Sequence, residues 1–149
     1  MKAISLWQPW ASLIAMKLKV YETRSWATNY RGDLLICAAK KATFEQEQAY
    51  DKILWKYQLE YPEQLLIGDD CIEFEDLPKG CAIALVSLTD CIQMTNEFIN
   101  QQSELEKDCG DWQAGRFAWK LENIRTVANT PIVGKQGLFN IEFKEKENV

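Results

Sequence analysis

The run CAIALVSL, Cys81–Leu88, constrains the fold more than any other part of this chain. It is apolar at nearly every position, yet far short of the roughly 20 residues a membrane span needs. A continuous apolar run of this length reads as a strand covered on both faces, so the rest of the chain has to supply two covering layers. Nearly half of the 149 residues are hydrophobic, with six Trp, six Phe and five Tyr, which is enough for a substantial core. A single domain over residues 1–149 is expected, with no linker or repeat to divide it.

Around that strand the pattern alternates between periods. Lys2–Trp7 (KAISLW) reads as a first strand, and Pro9 suits the first turn of a short helix. Trp10, Leu13, Ile14 and Lys17 follow the spacing of one helical face. VYETRSW then has period two, with Val20, Glu22, Arg24 and Trp26 on one side and Tyr21, Thr23 and Ser25 on the other. A turn at Gly32 precedes an apolar strand, Leu34–Ala39. Thr43 and Gln46 form a capping-box pair, followed by an amphipathic helix marked by Tyr50, Ile53, Leu54 and Tyr57 and ending near Pro62. Ile67–Gly80 is acidic and reads as an exposed loop. Thr95 or Asn96 caps a third helix carrying Phe98, Ile99 and Leu105. Gly115–Ile124 alternates as a strand, and a turn around Gly134–Gly137 leads to Phe139, Ile141 and Phe143 on one face. About six strands with three peripheral helices, without regular βαβ alternation, favour an α+β fold built on a small mixed β-barrel.

Composition narrows the chemistry. The chain has no His, which excludes Ser-His-Asp and Cys-His catalysis. Any general base must be a carboxylate, a Lys, a Tyr or a Cys. The five Cys show no C-x-x-C spacing, so buried reduced thiols are expected rather than a metal site. No metal or other cofactor is called for. The beginning of the chain has no cleavage pattern of a signal peptide, so the cytoplasm is the expected compartment, and no membrane association is expected. The net charge of −5 argues against indiscriminate nucleic-acid binding and against long duplex DNA. The charge is unevenly spread. Residues 1–41 carry seven Lys and Arg against two Asp and Glu, and residues 42–109 carry four against fifteen. That distribution implies a local positive site on an acidic body.

Four segments carry a family resemblance: SLWQPWASLIAMKLKVYETRSW, YRGDLLICAAK, GDWQAGRFAWKLENIR and GKQGLF. Together they resemble the ASCH (activating signal cointegrator homology) domain of the PUA-like superfamily, in a bacterial or phage-type branch. The family's G-x-K-x-x-[ET]-x-R element is matched by Lys19, Glu22 and Arg24, with Lys17 at the Gly position. The resemblance implies a PUA-like β-barrel whose cleft is lined by this element, and binding of RNA, a nucleotide or a modified nucleoside. It also implies an alternative, a metal-independent hydrolase of the N4-acetylcytidine amidohydrolase or ribonuclease type using Lys19 and Glu22. In the amidohydrolase subgroup the motif's Lys works with a Thr three residues later; here that position holds Glu22.

The element's chemistry suits such ligands. Arg24 offers a two-pronged contact to phosphate, Lys19 a point charge, and Glu22 an acceptor for an exocyclic amine or a ribose hydroxyl. Trp10 and Trp26 flank the element and are the expected stacking residues. Trp7 and Trp119, inside alternating strands, are expected in the core. Gln8 sits at the mouth of the first helix, where backbone N–H groups meet anions. Arg116 and Lys135 are expected to close on the site from the C-terminal block. Lys40 and Lys41 read as ordinary surface charge.

Overall fold

The computed structural model describes residues 1–145. Strand β1 (Lys2–Leu6) leads into α1 (Trp10–Ala15), then β2 (Tyr21–Arg24) and β3 (Gly32–Ala38). Next come α2 (Phe44–Tyr57), α3 (Pro62–Leu65) and a two-residue hairpin of β4 (Leu66–Ile67) and β5 (Asp70–Cys71). The long β6 (Cys81–Gln93) is followed by α4 (Asn96–Asn100), α5 (Glu104–Asp108), the 15-residue β7 (Phe117–Pro131) and β8 (Leu138–Asn140).

Six strands form one curled sheet in the order β2-β7-β6-β3-β1-β8, a half-barrel of the PUA-like α+β type. Only β1 and β3 run parallel, with Leu6 opposite Ala38. Register shifts in the β6–β7 ladder mark bulges, and Asn123 takes a positive φ of 51° within one of them. Bulges sharpen local twist, which bends this longest ladder into the curve.

The run Cys81–Leu88 is covered on both faces, as its composition requires. Ile83, Val86 and Leu88 join Ile4, Leu6, Leu34, Ile36 and Trp119 in the core on the side of α1. Ala82 and Leu85 face the other way, with Ala3, Leu35, Val127 and Phe139. A separate cluster, holding Leu13, Leu18, Tyr50, Ile53, Leu54 and Tyr57, packs α2 against α1. The capping box at Thr43 and Gln46 forms with both of its hydrogen bonds.

Four expectations need correction. Five α-helices are present among the described residues rather than three. Pro62 does not merely follow a helix but starts α3 at a position where its missing N–H costs nothing. The helix expected after Thr95 is two helices, because Ser103 supplies a second N-cap and accepts the Glu106 N–H at 3.1 Å. Finally, Ile67–Gly80 is not simply an exposed loop: it includes β5 and a 3-10 turn (Phe74–Asp76), with Phe74 and Leu77 buried.

Candidate functional site

The junction between α1 and β2 sets the site. α1 closes with the two reversed hydrogen bonds of a Schellman motif, Lys17 N–H to the Ile14 carbonyl at 2.9 Å and Leu18 N–H to the Leu13 carbonyl at 3.0 Å. The motif needs a left-handed residue, and Lys17 takes it at φ 63°. Leu18 folds back into the cluster that holds Leu13, and Lys19 is turned inward. Only 1% of Lys19 is exposed, and its Nζ donates to the Cys109 carbonyl at 2.6 Å. The Trp10 ring centroid lies 6.0 Å from that ammonium. The next residue is held by α5, since Val20 N–H donates to Glu106 Oε1 at 2.8 Å. Burial raises the pKa of Glu106, opposed by the Val20 N–H and the Lys19 charge.

From there β2 runs antiparallel to β7, with Glu22 opposite Trp119 and Arg24 opposite Phe117. Glu22 is 7% exposed and its Oε2 is buried without a hydrogen-bond partner. The Arg24 guanidinium carbon stands 5.4 Å from the Trp26 ring centroid. Trp26 in turn packs edge-on against Trp119, at 4.8 Å between centroids and 85° between planes. Thr23 is buried as well, and its hydroxyl accepts the Asp111 N–H at 3.1 Å, so this neighbour of Glu22 is tied to the loop after α5. Gly110 permits that approach: a β-carbon there would lie 3.0 Å from the Thr23 side chain. Burial pushes the Cys109 thiol up to about 12, so at neutral pH it is no thiolate nucleophile.

These residues floor one side of a cleft of about 1150 Å³. The opposite wall is built where β1 and β3 leave the sheet side by side. Trp7 stands there half-exposed, with Lys41 Nζ 4.8 Å from its ring centroid. The Lys40 side chain crosses Gly80, where a β-carbon would come within 2.8 Å of it. Residues 132–137 complete the wall and bring in Lys135. Gly134 lets this loop lie against β1, since a β-carbon would sit 2.6 Å from Ser5 Oγ. Six cations line the cleft (Lys19, Arg24, Lys40, Lys41, Arg116 and Lys135) against two carboxylates, Glu22 and Asp111. Arg116 is partly engaged: its Nε donates to the Asp111 carbonyl at 3.1 Å and lies 3.6 Å from Asp111 Oδ2. Apart from Arg116 and Asp111, none of these charged groups takes part in the ion pairs found among the described residues.

Of the residues singled out in the sequence, Lys19, Glu22, Arg24, Trp10, Trp26, Arg116 and Lys135 come together in this cleft. Gln8 does not. It is fully buried, donating from Nε2 to Ser12 Oγ at 2.6 Å and to the Pro78 carbonyl at 2.7 Å, while its Oε1 accepts the Ser12 N–H. It holds the first turn of α1 and does not line the cleft. Trp119 is in the core as expected, but Trp7 is not: β1 ends at Leu6, and the alternation that places Trp7 inside stops with it. Lys40 and Lys41 line the cleft instead of being ordinary surface charge, because β3 ends at Ala38 beside the end of β1. Glu106 was missed. The pattern Ser103-x-x-Glu106 signals a helix start, but nothing local indicates that the carboxylate reaches back to Val20.

Among the described residues no helix is long and apolar enough to cross a membrane, and no three Cys, Asp or Glu side chains converge as a metal site. Comparison with known proteins gives a family model, the ASCH domain, matching residues 4–131. Activating signal cointegrator 1 of Mus musculus is 38% identical over 143 residues, covering 95% of this chain and 22% of that protein. The Homo sapiens protein of the same name matches at the same identity and coverage. The chain thus spans about a fifth of the length of these curated relatives. Both are mammalian, so placement in a bacterial or phage-type branch rests on the motif pattern alone. The fold, the position of the Lys19/Glu22/Arg24 element and this match agree: the chain belongs to the ASCH domain family.

Proposed function

We propose that the cleft binds RNA or a nucleotide-like ligand beside Lys19, Glu22 and Arg24. The ASCH domain family is linked in general to RNA binding. The observation that carries the reading is an unsatisfied acceptor beside a cation without an ion pair in one hollow. Glu22 Oε2 is buried without a donor, and Arg24 enters no ion pair among the described residues. A buried polar atom left without a partner costs about 1–3 kcal/mol, which a ligand that donates to it repays on binding. Arg24 suits a phosphate, Glu22 an exocyclic amine or a ribose hydroxyl, and Trp10 and Trp26 offer apolar surface for a base.

Tryptophan fluorescence titration with nucleoside monophosphates and short RNA at low salt tests this. Arg24→Ala is expected to weaken binding by roughly tenfold to a hundredfold, the worth of a hydrogen bond to a charged group. Absence of binding, or an unchanged affinity in that variant, would refute the reading.

A second reading is favoured by one observation: Lys19 and Glu22 share the cleft floor, and among the described residues Lys19 has no carboxylate within ion-pair distance. In a metal-independent hydrolase Lys19 would serve as base and Glu22 would orient it or activate a water. Incubation with N4-acetylcytidine and with short RNA, followed by chromatography, separates the two. Turnover lost in a folded Lys19→Ala variant supports the enzyme, and binding without turnover supports the module.

A further inference from the structure

The Lys19/Glu22/Arg24 element accounts for only one side of the cleft. The far side has its own tryptophan and its own cations, and these have no role in the reading above. Trp7 is 49% exposed, which leaves a large apolar ring at the solvent boundary. Most of the Trp surface in a small domain is buried, so an open ring facing a hollow calls for an explanation. Lys41 lies over it at 4.8 Å, and neither Lys40 nor Lys41 enters an ion pair among the described residues. Lys135 approaches from the loop that Gly134 holds against Ser5.

The two sides repeat one chemistry. At one, Arg24 stands over Trp26 at 5.4 Å, and at the other Lys41 stands over Trp7. Each offers an apolar ring for a base and a cation for a phosphate. Their separation follows from the sheet order. β2 lies four strand positions from β1, by way of β7, β6 and β3. At about 4.8 Å per step this is about 19 Å along the curl of the sheet. The cleft volume of about 1150 Å³ lies beyond the roughly 300–1,000 Å³ typical of sites for single small molecules.

Resting on the nucleotide-binding reading, we infer that the ligand is a single-stranded oligonucleotide that occupies both stations at once. One nucleotide sits at Arg24 and Trp26, and another along the strand sits at Trp7 and Lys41. A base inside a duplex is stacked between its neighbours and cannot lie on an aromatic ring, so two stacking stations along one strand call for a single-stranded ligand. The acidic body, at a net charge of −5, keeps the attraction confined to the cleft.

The test is the dependence of affinity on ligand length. Mono-, di-, tetra- and octauridylate are titrated at low salt, uridylate being chosen because it stacks little on itself. Affinity is expected to rise by tenfold or more between mono- and tetrauridylate, and then to level off. Trp7→Ala and Lys41→Ala are expected to bring the tetra- to mononucleotide affinity ratio down toward one. Arg24→Ala is expected to weaken both ligands. Equal affinity for all lengths, or an unchanged ratio in both the Trp7 and Lys41 variants, overturns the two-station inference and leaves the nucleotide reading standing. Binding of none of the four ligands removes that reading itself.

Discussion

Lys17 occupies a backbone conformation that a β-carbon disfavours. Its φ of 63° is required by the Schellman closure of α1, and the family element has Gly at this position. The left-handed conformation costs an L-residue roughly 1–2 kcal/mol, partly offset by the greater chain entropy that Gly loses on folding. The lysine is exposed and enters no ion pair among the described residues, so nothing at the side chain repays the cost. Lys17→Gly is expected to stabilise the protein by about 1 kcal/mol. Urea unfolding should show this as a higher midpoint at unchanged slope. The same position shows what the sequence disclosed and what it withheld. The departure from Gly was visible there. That the chain keeps the left-handed exit emerges only from hydrogen bonds that converge on Leu13 and Ile14.

At the scale of elements, Glu106 ties α5 to the start of β2, and its protonation bears on stability. Burial raises its pKa, more than the Val20 N–H and the nearby Lys19 lower it. The sign follows directly. A carboxyl whose folded pKa lies above its unfolded value binds its proton more tightly in the folded state. Its contribution to stability is fully present below the unfolded pKa and declines as pH rises through the folded one. Asp108 acts oppositely: burial raises its pKa, but hydrogen bonds from Lys56 and Tyr57 outweigh this and lower it, so its contribution is lost toward acid. The informative quantity is therefore the difference between variant and parent, not the raw pH profile. Glu106→Gln keeps an acceptor for Val20 and removes the charge. Its thermal midpoint is expected to match the parent's below the ordinary carboxyl value of 4.5 and to exceed it increasingly as pH rises above that value. A difference independent of pH would show that Glu106 does not titrate in that window. Elements with strong local signals, such as the Thr43–Gln46 capping box and the doubly covered β6, were legible in the sequence. The contact from Glu106 to Val20 was not, because it joins residues 86 positions apart.

At the scale of the whole molecule, the cleft depends on pairings that periodicity does not reveal. The parallel register of β1 with β3 sets Leu6 opposite Ala38, and only that register brings Trp7 next to Lys40 and Lys41. Local sequence pointed to one wall through Lys19, Glu22 and Arg24 and to Lys135 on the other, but assigned Trp7 there to the core and Lys40 and Lys41 to ordinary surface charge. The complete wall changes what salt should do. Binding to single strands loses affinity with a log–log slope of about 0.7 per phosphate neutralised. Arg24, Lys40, Lys41 and Lys135 are the cleft cations that enter no ion pair among the described residues and are not buried at the floor. If all four meet phosphates, the slope for an oligonucleotide is expected near about −3. Lys41→Ala should make it shallower by about 0.7, while a mononucleotide, held by one or two of these groups, should show a slope nearer about −1. Isothermal titration across a range of salt concentrations measures both. A slope near zero for the oligonucleotide would mean that phosphate is not what the cations hold. A slope approaching −10 would mean contacts extending well beyond the cleft, along a surface whose charge is otherwise acidic.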